Sequence, residues 1–229
     1  MKIKNAIITA AAPDQRKLPL QTLVDRDRTK KTVLEILINE IKSAGIDEIG
    51  IVVQPEDEKS FEQALGALSG QGIRFIPQLK NKPGYGNAIL SGTTFLNNEP
   101  FLHLVGDHLY VNRHGENGAR QLIKLAEQSN CPVSAVQPTR ENLIGNYGTI
   151  KASRIQGETD LFQIKRVTEK PTPAFADLHL MVPGMRAGYY LCFFGMHIFT
   201  PQLLEILDKK AAAAPGARLG LSESLNELA

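Results

Sequence analysis

At 229 residues, with 42% hydrophobic and 22% charged residues, the chain has the composition of one large folded domain, or of a core with a modest appendage, which excludes wholesale disorder. A formal charge of +2 is too small for charge alone to predict a nucleic-acid or membrane-surface partner, and no apolar run approaches the roughly 18 residues of a membrane-spanning helix. Cys131 and Cys192 offer neither a CxxC spacing nor a disulfide framework, so a reducing, cytoplasmic setting is expected.

In chain order, Ile3–Thr9 is β-branched and apolar and predicts a buried first strand; its apolar part, interrupted by Asn5 and Thr9, is too short for a signal peptide. Thr32-Val-Leu-Glu35 has the form of a capping box, and Leu34, Leu37, Ile38 and Ile41 make one helical stripe that stops at Gly45. Ile49–Val53 predicts the second strand. Pro55 suits the first turn of a helix running through Phe61, Ala64 and Leu65 toward Gly70. Ile73–Ile76, Phe101–Val105 and Val133–Val136 read as further strands, alternating with helices over Asn87–Leu96 and Gly118–Gln128. Such alternation of apolar strands with helices predicts a parallel sheet covered on both faces, with ligands bound beyond the carboxyl ends of the strands where the strand order reverses.

After Gln137 the texture changes. Thr149–Ala152, Leu161–Lys170 and Gly188–Phe194 read as strands joined by irregular loops. A helix over Gln202–Asp208 follows, with Thr200 as N-cap and Pro201 at its first position. Ala211–Pro215 reads as a small-residue linker, and Ser222 as the cap of a last short helix. With no internal repeat and no long linker, 1–229 is expected to be one domain with halves 1–137 and 138–229.

The loops at strand ends carry the chemistry. Between Ala10 and Thr32 the chain lacks a clear element, and from Arg16 to Lys31 it holds six basic residues against two acidic ones. This segment is either a solvated charged loop or a lid whose cations meet a polyphosphate. After the third strand, Gln78 and the pair Gly84 and Gly86 open a helix, where glycine lets backbone groups approach a flat ligand or simply makes a turn. Leu104-Val-Gly106-Asp107 places a carboxylate at a strand end, suited to Mg²⁺ against phosphate oxygens or to capping the next element. His103, His108 and His114 fit no zinc spacing, and His103 is expected to point into the strand layer. Glu169 and Lys170, adjacent on a strand, would point to opposite faces, but a break at Pro171 would let both reach a cleft.

In this order the motifs resemble those of the bacterial UTP–glucose-1-phosphate uridylyltransferases, within the wider sugar-phosphate nucleotidylyltransferases. Lys4-Asn-Ala-Ile-Ile-Thr-Ala-Ala looks like that family's opening strand, and Ala44-Gly-Ile-Asp-Glu-Ile like its helix-to-strand turn. Gly84-Tyr-Gly86-Asn-Ala is similar to GLGHA, and Leu104-Val-Gly-Asp107 to LGDD. Tyr147-Gly148-Thr-Ile, Val167-Thr-Glu169-Lys170-Pro171 and Phe194-Gly195-Met-His-Ile-Phe-Thr-Pro201 match YGVI, VEKP and VGRYVLTP.

The resemblance implies a Rossmann-like, three-layer α/β nucleotidyltransferase fold (GT-A-like) with a mixed, mostly parallel central sheet. It further implies formation of UDP-glucose and pyrophosphate from UTP and glucose 1-phosphate, with Mg²⁺ as cofactor. Ala11, Ala12, Gln78, Gly84 and Gly86 would then meet the nucleotide, and Gly148 and Glu169 the sugar. Asp107 would hold the metal, and Arg16 and Lys170 would join it in neutralising phosphate charge. The substrates so implied are small molecules, with no nucleic acid and no membrane, and self-association into a homo-oligomer is compatible with the family.

Three departures qualify this expectation. The family's Gly-rich AGxGTR loop is here Ala11-Ala12-Pro13-Asp14-Gln15-Arg16; Pro13 has no N–H, and Asp14 sets an anion beside a triphosphate. At 4 Å and an effective dielectric of about 20, two such charges repel by about 4 kcal/mol. The phosphate-binding lysine of PKEMLP has only Lys30 or Lys31 as a counterpart. Leu221 to Ala229 looks like the family's LTDAI helix, so the later segment with its second metal-side aspartate is expected to have no counterpart. A non-catalytic relative that binds nucleotide or sugar phosphate, or a transferase using another nucleotide or sugar, therefore stay open.

Overall fold

The computed structural model describes residues 1–13, 17–25, 27–79, 83–111 and 115–228. The described strands are β1 (Asn5–Thr9), β2 (Thr22–Val24), β3 (Lys30–Thr32), β4 (Glu48–Val53), β5 (Ile73–Pro77), β6 (Phe101–Val105), β7 (Val133–Arg140), β8 (Gly148–Arg154), β9 (Phe162–Glu169) and β10 (Tyr189–Phe199). The helices are α1 (Val33–Ser43), α2 (Glu58–Leu65), α3 (Tyr85–Ser91), α4 (Thr93–Leu96), α5 (Gly118–Ser129), α6 (Pro173–His179), α7 (Pro201–Ala213) and α8 (Ser222–Leu228). The chain divides into two compact units, Met1–Ser134 with Gly195–Leu219, and Ala135–Phe194 with Gly220–Ala229.

In the first unit the strands lie in the order β5-β4-β1-β6, all parallel, with residues 195–199 of β10 antiparallel beside β6. This is the mixed, mostly parallel sheet that the alternating apolar segments predict. Ile7, Ile8, Ile51, Val52, Leu102 and Leu104 are fully buried in it, each contributing roughly 1.5–3 kcal/mol of transfer free energy. The register sets Thr9 level with Val52 on one side and Val105 on the other, so three strands end at one edge. Successive strands step one way from β1 through β4 to β5, and the next step, to β6, goes the other way. The reversal falls between β1 and β6.

The capping box of α1 is complete: Glu35 N–H donates to Thr32 Oγ1 (3.1 Å), and Thr32 N–H donates to Glu35 Oε2 (2.5 Å). Losing such a cap costs about 1 kcal/mol. Other boundaries correct the sequence reading. Pro55 lies in a turn closed by Asp57 N–H on the Gln54 carbonyl, and α2 begins only at Glu58. The helix expected over Asn87–Leu96 is two helices, parted at Gly92, whose N–H turns back on the Ile89 carbonyl. Ala211–Ala213 continue α7 instead of forming a linker, as three good helix formers should. The long segment before Thr32 contains an antiparallel hairpin, β2–β3, concealed because its strands are only three residues long and little buried.

In the second unit, residues 189–194 of β10 pair antiparallel with β8, and β8 with β9, leaving β9 at the end of that order. Tyr190, Cys192, Ile144, Ala176 and Leu180 form a buried cluster beneath. The cluster depends on α6, a helix not anticipated from sequence, which Thr172 caps by accepting from Phe175 N–H and which Pro173 starts. The Tyr190 hydroxyl donates to Asp177 Oδ1, anchoring α6 to β10.

Candidate active site

The sheet edge at the β1/β6 reversal is where an open α/β sheet presents ligands to its loops. There Ala10 N–H donates to the Val52 carbonyl (2.8 Å) and Gly106 N–H to the Thr9 carbonyl (2.9 Å), extending both strands into their loops. Ala11 is buried, and its carbonyl accepts from Gln54 Nε2 (2.7 Å). Ala12 and Pro13 are exposed. Arg16, together with Asp14, lies outside the described residues.

Asp107 follows β6 at this edge and is half-buried. Tyr110 donates from its hydroxyl to the Gly195 carbonyl (2.8 Å), and burial, reinforced by the Asp107 charge, holds its phenol above the ordinary value of 10. Tyr110 therefore stays a neutral donor at physiological pH. Neither Gln54 nor Tyr110 stands out in the sequence; Gln54 was findable, because it directly follows β4 at the edge the topology singles out.

Where the loop after β5 enters α3, main-chain hydrogen bonds hold the described residues. Leu219 N–H donates to the Pro83 carbonyl (3.1 Å) and Gly86 N–H to the Leu219 carbonyl (3.0 Å). Gly84 sits at φ +108, and a Cβ there would fall 2.7 Å from Leu219 N, so only glycine fits. Gly86 is buried against the side chains of Leu219 and Leu207, and its N–H is already engaged. Asn87 Nδ2 donates to the Pro83 carbonyl (2.8 Å). Gln78 is buried, its N–H on the Val53 carbonyl (2.8 Å).

Tyr85, between the two glycines, sets its ring tilted at 5.4 Å from that of His103, and its hydroxyl lies 3.3 Å from His103 Nδ1. His103 points into the sheet layer as expected, with Nε2 at 3.2 Å from Thr9 Oγ1. His197 lies beside it, with Nδ1 at 2.8 Å from Ser134 Oγ. Burial holds both imidazoles below their ordinary pKa, His197 down to about 3, so both are neutral.

On the β2–β3 hairpin, Lys31 Nζ lies 2.6 Å from Asp25 and 2.5 Å from Asp27, and these hydrogen bonds hold its pKa above the usual range. One of the basic residues in the segment is thus paired locally, while Lys30 is exposed. Among the described residues no group of three or more His, Cys, Asp or Glu side chains is poised to hold a metal ion.

The second unit builds a different arrangement. Gly148, opening β8, pairs with Glu169, closing β9. The strand ends there: Lys170 turns to φ +46, with its N–H on the Tyr147 carbonyl (3.1 Å). This left-handed turn ends the strand alternation at Lys170, one residue after Glu169, and both side chains are exposed. A Cβ on Gly148 would lie 3.2 Å from the Phe193 ring and 3.4 Å from both Glu169 Oε2 and Ser222 Oγ, so its absence leaves a small cradle among them. Ser222 Oγ donates to Glu169 Oε2 (2.6 Å), a partner the sequence could not reveal because it lies 53 residues away.

The model of the nucleotidyl transferase family matches residues 23–226. A UTP–glucose-1-phosphate uridylyltransferase of Pseudomonas aeruginosa is 23% identical, over 97% of this chain and 84% of that protein. Its counterpart in Bacillus subtilis is 26% identical, over 99% and 80%. Among solved structures, UDP-glucose pyrophosphorylase complexed with UDP-glucose superimposes with a TM-score of 0.73 at 21% identity, covering 98% of this chain and 86% of that one. The apo form of a UDP-glucose pyrophosphorylase gives 0.77 at 19% identity, with the same coverage. The α/β fold with a mixed, mostly parallel sheet is therefore the fold of those enzymes.

Proposed function

Proceeding from the nucleotidyl transferase family, to which this chain belongs, we propose that it forms UDP-glucose and pyrophosphate from UTP and glucose 1-phosphate in the cytoplasm. The observation that carries this reading is the position of Asp107, a half-buried carboxylate at the edge where the strand order reverses. Similarity to curated uridylyltransferases over nearly the whole chain supports the substrate choice.

On this reading the first unit takes the nucleotide. Gln78 and the Gly84 backbone meet the uracil edge with Gly86 behind them, Ala11 and Ala12 line the phosphate path, and the charge of Arg16, which lies outside the described residues, helps neutralise the phosphates. The second unit takes the sugar phosphate. Glu169 accepts from glucose hydroxyls above the Gly148 cradle, and Lys170 pairs with a phosphate. A phosphate oxygen of glucose 1-phosphate attacks the α-phosphorus of UTP, and the bond to the bridging oxygen breaks to release pyrophosphate. The nucleophile is largely a dianion at pH 7, so no protein base is required. Alignment and charge neutralisation then do the work.

Asp107 would hold Mg²⁺, an ion that needs only one or two protein carboxylates beside substrate phosphates and water. The ion would supply positive charge to the crowded phosphates. No all-protein cage is needed for such an ion.

The test is pyrophosphate release from each of the four NTPs with glucose 1-phosphate and Mg²⁺. UTP-selective turnover is expected, and Asp107→Ala should lower it at least a hundredfold, about 3 kcal/mol of transition-state stabilisation. Stabilisation of the fold by UDP-glucose without turnover would instead mark a binding protein. Turnover with dTTP and not UTP would mark a transferase of another nucleotide.

A further inference from the structure

The C-terminal helix α8 meets β9 through two side chains that the substrate reading does not use. Asn226 grips one residue of the strand: its Nδ2 donates to the Val167 carbonyl (2.8 Å), and its Oδ1 accepts from Val167 N–H (2.6 Å). This fixes helix to strand in both directions, as a neighbouring strand would. One helical turn earlier, Ser222 Oγ donates to Glu169 Oε2. Val167 and Glu169 are two apart on one strand and point to the same face. The grip on Val167 therefore sets the position from which Ser222 reaches the carboxylate.

We propose that Ser222 and Asn226 are positioning residues for Glu169: Ser222 holds one carboxylate oxygen beside the Gly148 cradle, and Asn226 holds α8 in the register that makes this possible. The other carboxylate oxygen is left to accept from a vicinal pair of sugar hydroxyls. This rests on the reading that Glu169 meets the sugar. It makes the last helix part of the sugar side of the reaction, with no direct contact between Ser222 and the reacting phosphates.

Steady-state kinetics of the full chain test this with Ser222→Ala and Ser222→Thr. Ser222→Ala should raise KM for glucose 1-phosphate about tenfold, because a hydrogen bond to a charged group is lost. KM for UTP and kcat should stay within twofold, and Ser222→Thr, which keeps the hydroxyl, should restore the sugar KM. An unchanged sugar KM in Ser222→Ala, an equal rise in both KM values, or a threonine variant no better than alanine would overturn the proposal.

If the wild-type chain has no turnover with any sugar 1-phosphate and nucleotide, the uridylyltransferase reading falls, and the positioning role is decided by structure. Crystal structures of the wild type and Ser222→Ala should then differ at the Glu169 carboxylate, and Asn226→Ala should speed amide exchange at Val167. A Glu169 carboxylate unmoved by Ser222→Ala, or an unchanged Val167 amide, would overturn it.

Discussion

In the first unit the described chain around Gly84 is held by main-chain bonds, Leu219 donating to Pro83 and Gly86 to Leu219, beside the tilted ring pair Tyr85 and His103. In the second unit Glu169 is fixed by side chains, Ser222 directly and Asn226 through Val167. A loop held by backbone tolerates many side chains, yet it fails where a Cβ will not fit. A carboxylate held by one hydroxyl is sensitive to a single functional group while the fold stays intact. One unit should thus lose stability when altered at its candidate site, and the other should lose affinity.

The largest expected effect is at Gly84. Alanine there meets both the positive φ and the Leu219 backbone, and Gly84→Ala should destabilise by about 3 kcal/mol in urea denaturation. A loss below about 1 kcal/mol would mean that the loop shifts freely and that the contrast is wrong.

Next comes the pH dependence of the first unit. His103 and His197 have pKa values lowered by folding, so the unfolded chain takes up their protons first as the pH falls. Their contribution is complete above about pH 6.5 and declines as the pH drops toward 3 for His197. Between pH 6.5 and 5 the decline should approach about 2 kcal/mol from His197 alone, seen as a falling urea midpoint. His197→Phe should remove that share of the slope, and an unaltered slope would assign the acid sensitivity elsewhere.

The smallest effect is at Lys170. Glycine relieves the left-handed turn but loosens the unfolded chain, so Lys170→Gly should change stability by less than about 1 kcal/mol. A larger loss would show that the lysine side chain itself supports the second unit.

The elements legible in the sequence were those with strong local signals. β1, β4, β5 and β6 are apolar runs bounded by polar turns, and α1 has both a capping box and a continuous stripe. The β2–β3 hairpin was not legible because strands with little burial need no apolar alternation. For α6 the Thr172-Pro173 start signal was present, but seven residues offer too little periodicity to register. The return of Gly195–Leu219 to the first unit follows from pairing with β6, and no local property of those residues announces it.

The candidate site divides in the same way. Asp107 could be read from a glycine and a carboxylate at a strand end, and the turn at Lys170 from the proline that follows. Gln54, Tyr110, Ser222 and Asn226 owe their interest to partners distant in sequence, which only the folded chain brings together.

The side-chain amide of Asn226 also covers a strand edge. β9 ends the strand order of its unit, and a strand so placed offers unpaired main-chain groups on which a foreign chain can polymerise. By occupying both groups of Val167, Asn226 covers that stretch of the edge as a paired strand would, so the helix that lies beside a carboxylate also closes main-chain groups on which a foreign strand could add.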